Sequence, residues 1–165
     1  MTAWARHQYI YTYDPASPAA ERLTDTGLAF QFERGLMGSV HVERIIQTGE
    51  FGAADLKLAP ESDLGRGGLK AALGDKPAIG ELYEILPKDE GISFVHAVCP
   101  GADRAWLLVG RIERFRPLEL EAIGKGPRDA EAHVCSSMQF SFYSDLRLPG
   151  QEPGEARLIG PSGPQ

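Results

Sequence analysis

Two short motifs in this chain combine residue types that can do chemistry: His96-x-x-Cys99 and His133-x-Cys135. Two imidazoles and two thiolates are the ligand types of a tetrahedral zinc site. Side chains alternate along a strand, so His133 and Cys135 would share a face and could reach one ion. His96 and Cys99 would lie on opposite faces of an ideal strand. They converge only if the chain turns near Val98, which Cys99-Pro100-Gly101 permits. The spacing matches no zinc signature, and an apolar strand uses cysteine more often as a small core residue. The same residues allow a second chemistry, with Cys135 or Cys99 as nucleophile and His133 or His96 as base. That role needs a depressed thiol pKa, which a sequence does not display.

A third arrangement needs no reactive centre. Tyr9, Tyr11 and Tyr13 alternate along one stretch, and His133, Cys135, Ser137, Gln139, Ser141 and Tyr143 along another. A solvated strand face normally carries Lys, Glu or Arg. Hydroxyls, amides and phenols suggest instead a sheltered, partly wet surface for a small ligand or a protein partner. Tyr9, Tyr11, Tyr13, His133, Ser137, Gln139 and Tyr143 are therefore the candidate ligand-binding set. The competing reading is an ordinary amphipathic sheet face. His41 and Glu43 share a face only if their segment is a strand. Gly65-Arg66-Gly67-Gly68 precedes a possible helix but lacks the lysine and hydroxyl of a P-loop, and reads as a loop.

Composition narrows the classes. The chain has 165 residues, 23 acidic and 17 basic side chains and a net charge of −6, so general nucleic-acid binding is disfavoured. Arg104, Arg111, Arg114 and Arg116 could seat a phosphate, but such a run more often forms a solvated edge. No apolar run approaches the ~20 residues that cross a bilayer as a helix. The start, MTAWARHQYIYTYD, shows no basic stretch followed by an apolar core and a small-residue cleavage site, so a cytoplasmic address is expected. Two cysteines there should stay reduced, although their number also permits a Cys99–Cys135 bridge.

The elements that must position these residues are mostly strands. HQYIYTYD (7–14) alternates, Asp14-Pro15 ends it, and Ser17-Pro18 caps a short helix that stops near Gly27. LAFQFE (28–33) alternates again. VHVERIIQ suits either type, and Ser39 as a cap tips it towards helix, with Val42, Ile45 and Ile46 inward. Residues 49–80 are glycine-rich and read as a mobile segment carrying one short helix at 68–73. Order resumes at 79–86. Ile92 to Cys99 and Ala105 to Phe115 read as a strand pair about a Pro100–Asp103 turn, the second covered on both faces. Leu118 to Ile123 extends the sheet or bends away, and 131–145 is the last strong strand.

Short connections imply antiparallel pairing. The expected fold is α+β and β-rich: a mainly antiparallel curved sheet or partly open barrel with two or three short helices. Residues 1–148 would form one domain, and the Gly/Pro-rich 149–165 a flexible tail. The expected function is a small intracellular binding or accessory module, holding a small molecule or protein partner on a polar β-face, with no membrane contact. The alternative is an enzyme with a His/Cys-centred site, zinc being its candidate cofactor.

Overall fold

The computed structural model describes residues 7–35, 37–48 and 52–147. The predicted tail, 149–165, lies outside them. The fold is the expected β-rich α+β type with antiparallel pairing, and of the two expected forms it is the barrel, fully closed. Its strands are β1 (His7–Pro15), β2 (Leu28–Arg34), β3 (Val40–Gln47), β4 (Ala53–Leu58), β5 (Glu81–Ile85), β6 (Arg104–Val109), β7 (Leu118–Lys125) and β8 (His133–Arg147). Each pairs with the next, and β8 closes on β1. Closure removes the sheet edges that an open sheet would leave unpaired.

Three short helices accompany the barrel: α1 (Pro18–Leu23), α2 (Gly68–Leu73) and α3 (Gly91–Val98). α1 forms as its sequence directs. Pro18 occupies the first turn, and the Ser17 Oγ accepts the Ala20 N–H at 3.3 Å. The same Ser17 Oγ accepts the Gln139 N–H at 3.0 Å, which pins α1 to β8. α1 and α3 both sit at the end of the barrel where β1, β3, β5 and β7 finish, and they close it with Ala20, Phe94, Val95 and Val98.

The barrel interior is filled. Tyr11, Tyr13, Phe30, Phe32, Ile45, Tyr83, Ile85, Leu107, Met138 and Phe140 are at most 2% exposed. Tyr11 meets Phe32 and Phe142 edge-on at 4.8 and 5.3 Å between ring centroids, a favoured aromatic geometry. A second, smaller core lies outside the wall. Trp106 and Leu108 point outwards from β6 and pack with Leu82, Ile123 and Ala132 beneath Leu64 and Leu73. β6 is therefore covered on both faces, as its unbroken apolar run implies.

Four expectations change. VHVERIIQ is strand β3, not helix. The register against β2 slips at Gln31/Phe32, leaving Glu43 as an extra residue, so Val42 and Ile45 are both buried although three apart. A bulge thus reproduces helical spacing on a strand. Ile92–Cys99 is helix α3 and its C-cap, not a strand, because Phe94, Val95 and Val98 form one buried helical stripe. The strand that follows ends at Val109, not Phe115. Finally, 49–80 is not without regular structure: besides the expected helix α2 it holds β4 and a 3-10 turn, Glu61–Leu64, that delivers Leu64 to the outer core.

Candidate functional site

Among the described residues no helix closes the end of the barrel opposite α1 and α3, which is built by the loops after β2, β4 and β6. Strand pairing there is incomplete. β3 pairs with β4 only from Arg44 to Ile46, while β4 pairs with β5 from Leu56 to Leu58. The first half of β3, Val40 to Glu43, therefore stands apart from β4 along a seam. Tyr83 of β5 bridges this gap: its hydroxyl accepts the Val42 N–H at 3.1 Å and donates to Glu81 Oε1 at 3.2 Å. Burial, opposed in part by the Val42 N–H, pushes the Tyr83 phenol up to about 12.

At this seam the mouth holds a cavity of about 470 Å³, within the range of small-molecule sites. Val40, Val42, Val109 and Ile112 give it apolar walls, and Tyr83 and Arg34 give it polar ends. Gly80 at φ 114° brings the chain against the Val109 carbonyl, where a side chain would collide. Arg34 is held by aromatic rings. Its guanidinium carbon lies 5.5 Å from the Tyr9 ring centroid and 5.6 Å from that of Phe32, and those rings stack at 5.4 Å. Deeper in, burial and then the Asp145 charge raise the pKa of Tyr11, while Arg34 opposes the shift.

The residues singled out from the sequence are distributed differently. Tyr11 and Tyr13 face the filled interior, and half-buried Tyr9 packs beside them. Ser137, Gln139 and Tyr143 are exposed on the outside of the wall, so the two polar sets do not form one surface. The expected face on β8 is broken by a bulge: Ile123 pairs with Val134 and Ala122 with Ser136, leaving Cys135 as the extra residue turned into the core. Ser137 instead donates to Glu121 Oε1 at 2.6 Å and accepts from Lys76 Nζ at 2.7 Å.

The four candidate zinc ligands do not form a set. Cys99 and Cys135 are joined in a disulfide, against the expectation of reduced thiols. Their sulfurs are thereby unavailable as thiolate ligands or nucleophiles. His96 is exposed on α3 and His133 at the start of β8. Among the described residues no group of three or more His, Cys, Asp or Glu side chains is placed to hold a metal. The bridge is accommodated by Gly124 of β7, where a Cβ would lie 2.8 Å from both sulfurs.

The arginine run is spoken for. Arg104 pairs with Glu84 at 3.0 Å, Arg111 with Glu113 at 3.5 Å, Arg114 with Asp145 at 3.2 Å and Arg116 with Glu113 at 3.0 Å. The hydrogen bonds that Arg104 donates to Glu84 raise the Arg104 pKa further. The glycine turn before α2 is occupied by the chain's own carboxylates: Gly67 N–H donates to Glu131 at 3.2 Å and Leu69 N–H to Glu61 at 2.8 Å. His41 and Glu43 do share a strand, with the bulge at Glu43, and His41 meets the Tyr83 ring edge-on at 6.3 Å. Sequence reasoning missed the mouth. Its clue was the alternation of Val40 and Val42, hidden by the helical reading of that segment. Comparison with protein-family models, curated proteins and solved structures gives no match to this chain.

Proposed function

We propose that this protein is a binding module that holds a small, largely apolar molecule in the open mouth of its barrel. The observation that carries this reading is the cavity of about 470 Å³ at the β3–β5 seam, walled by Val40, Val42, Val109 and Ile112 and edged by Tyr83 and Arg34. A barrel of eight strands encloses enough room for side chains or one small ligand. Here side chains fill the interior, and among the described residues the mouth keeps this cavity. The ligand site thus moves from the outer polar face to the barrel end. The Cys99–Cys135 bridge supports residence in an oxidising compartment in preference to the cytoplasm, because cytosolic thiol pools keep such pairs reduced. No helix among the described residues is long and apolar enough to cross a membrane.

Titration with N-phenyl-1-naphthylamine, a neutral probe that brightens in apolar surroundings, tests the site. Saturable binding of one probe per chain is expected. It should be lost in Val40→Trp, which fills the mouth, and kept in Ile92→Trp, which alters α3 at the far end. Binding that does not saturate, or that survives Val40→Trp unchanged, would refute the reading.

A further inference from the structure

We infer that the ligand of the mouth carries a carboxylate, and that Arg34 is the group that reads it; this rests on the mouth being a ligand site. Arg34 differs from the arginines of the 104–116 run. Arg104, Arg111, Arg114 and Arg116 each pair with a carboxylate of the chain. Among the described residues Arg34 makes no ion pair; it lies against the faces of Tyr9 and Phe32 and hydrogen-bonds the Tyr11 hydroxyl, which uses only part of its five N–H donors. Ring faces attract the charge but do not accept five directed N–H donors. A half-buried guanidinium fixed in this way, with donors to spare beside apolar walls, is set up for a two-pronged bond to a planar carboxylate.

The other charges facing the cavity do not compete. Arg111 and Glu113 neutralise each other at 3.5 Å. Glu81 already accepts the Tyr83 hydroxyl, and it stands on β5, across the mouth from the end of β2 where Arg34 sits. The charge at the Arg34 end of the mouth is therefore positive, while that of Glu81 lies at the β5 side. The apolar body of the ligand then lies on Val40, Val42, Val109 and Ile112, and its charged end on Arg34. The ligand class is an amphipathic monocarboxylate, aliphatic or aromatic.

Two probes with the same chain separate the headgroup from the pocket: decanoate and decanol, titrated calorimetrically into the full-length protein at neutral pH. Decanoate should bind at least tenfold more tightly. Arg34→Met should erase that difference, chiefly by weakening decanoate, and a circular-dichroism spectrum and melting midpoint close to those of the parent show that the variant is folded. Arg34→Lys should restore part of the preference. Equal affinities for the two probes in the unaltered protein, or an unchanged preference in Arg34→Met, overturns the assignment to Arg34 but leaves the mouth reading standing. Failure of both probes to bind, or binding of both that Val40→Trp does not weaken, overturns the mouth reading and this assignment with it.

Discussion

Two tyrosines inside one barrel illustrate how little a residue type says without its partners. Tyr83 and Tyr13 are both 1% exposed, yet the Tyr83 hydroxyl makes two hydrogen bonds and the Tyr13 hydroxyl has no partner among the described residues. Removing a hydroxyl that satisfies a buried N–H leaves that donor orphaned, at a cost of about 1–3 kcal/mol. Tyr83→Phe should therefore lower stability by about that amount in denaturant melts, since Val42 N–H loses its acceptor. Tyr13→Phe should be neutral or stabilising, because the buried hydroxyl there has nothing to lose. The two also share a pH signature. Burial raises both phenols above their usual value of 10.0, Tyr83 to about 12. The folded state thus favours the protonated phenol. That stability is fully present below pH 10 and is lost as pH rises through about 12. The doubly substituted Tyr13→Phe, Tyr83→Phe protein should unfold at higher pH than the parent, relative to its own neutral stability, in an alkaline titration followed by circular dichroism. None of this was legible in the sequence. The alternation of Tyr9, Tyr11 and Tyr13 puts them on one face, but whether that face looks into a core or onto a ligand depends on Phe30, Phe32 and Phe142 of other strands. The candidate site was hidden for the same reason: Arg34, Val42, Tyr83 and Ile112 come from four separate parts of the chain.

At the scale of elements, legibility followed local regularity. α1, with its cap and proline, and β2, with Leu28, Phe30 and Phe32 alternating, stand where their patterns put them. β3 and α3 do not, and the causes differ. In β3 a bulge at Glu43 imitates a helical repeat. In α3 the string ISFVHAV is β-branched and aromatic enough to suit a strand. What selects helix is the tertiary need to cap the barrel between β5 and β6. The bridge from Cys99, just after α3, to the bulge on β8 then locks that cap to the wall. Gly124 is part of the device, since a Cβ there would stand 2.8 Å from both sulfurs. Gly124→Ala should therefore destabilise the protein strongly when the bridge is present. In a Cys99→Ala, Cys135→Ala background the same change should cost less, because both sulfurs are gone and only the Cβ of residue 99, at 2.9 Å, remains in its way. A thermodynamic cycle over the four proteins measures the difference. Additive effects would show that Gly124 answers to the backbone and not to the disulfide.

As a whole the molecule is a barrel with unlike ends, and that asymmetry separates what holds it together from what it binds. One end is plugged by α1 and α3, filled with Ala20, Phe94, Val95 and Val98, and tied by the disulfide. The other is a mouth whose seam between β3 and β4 is bridged by the Tyr83 hydroxyl. Removing a crosslink acts largely on the unfolded chain and typically costs about 2–4 kcal/mol. The paired change Cys99→Ala, Cys135→Ala should therefore lower stability by about that much. It should also speed amide hydrogen exchange in α3 and leave affinity for the neutral naphthylamine probe within twofold. Val40→Trp should do the opposite: the probe is lost, while α3 exchange and the denaturation midpoint change little, since Val40 is only half-buried at the rim. If loosening the plug weakens binding in step with stability, the two ends are coupled through the filled interior. The mouth would then be a surface expression of the core, not a site the scaffold holds independently.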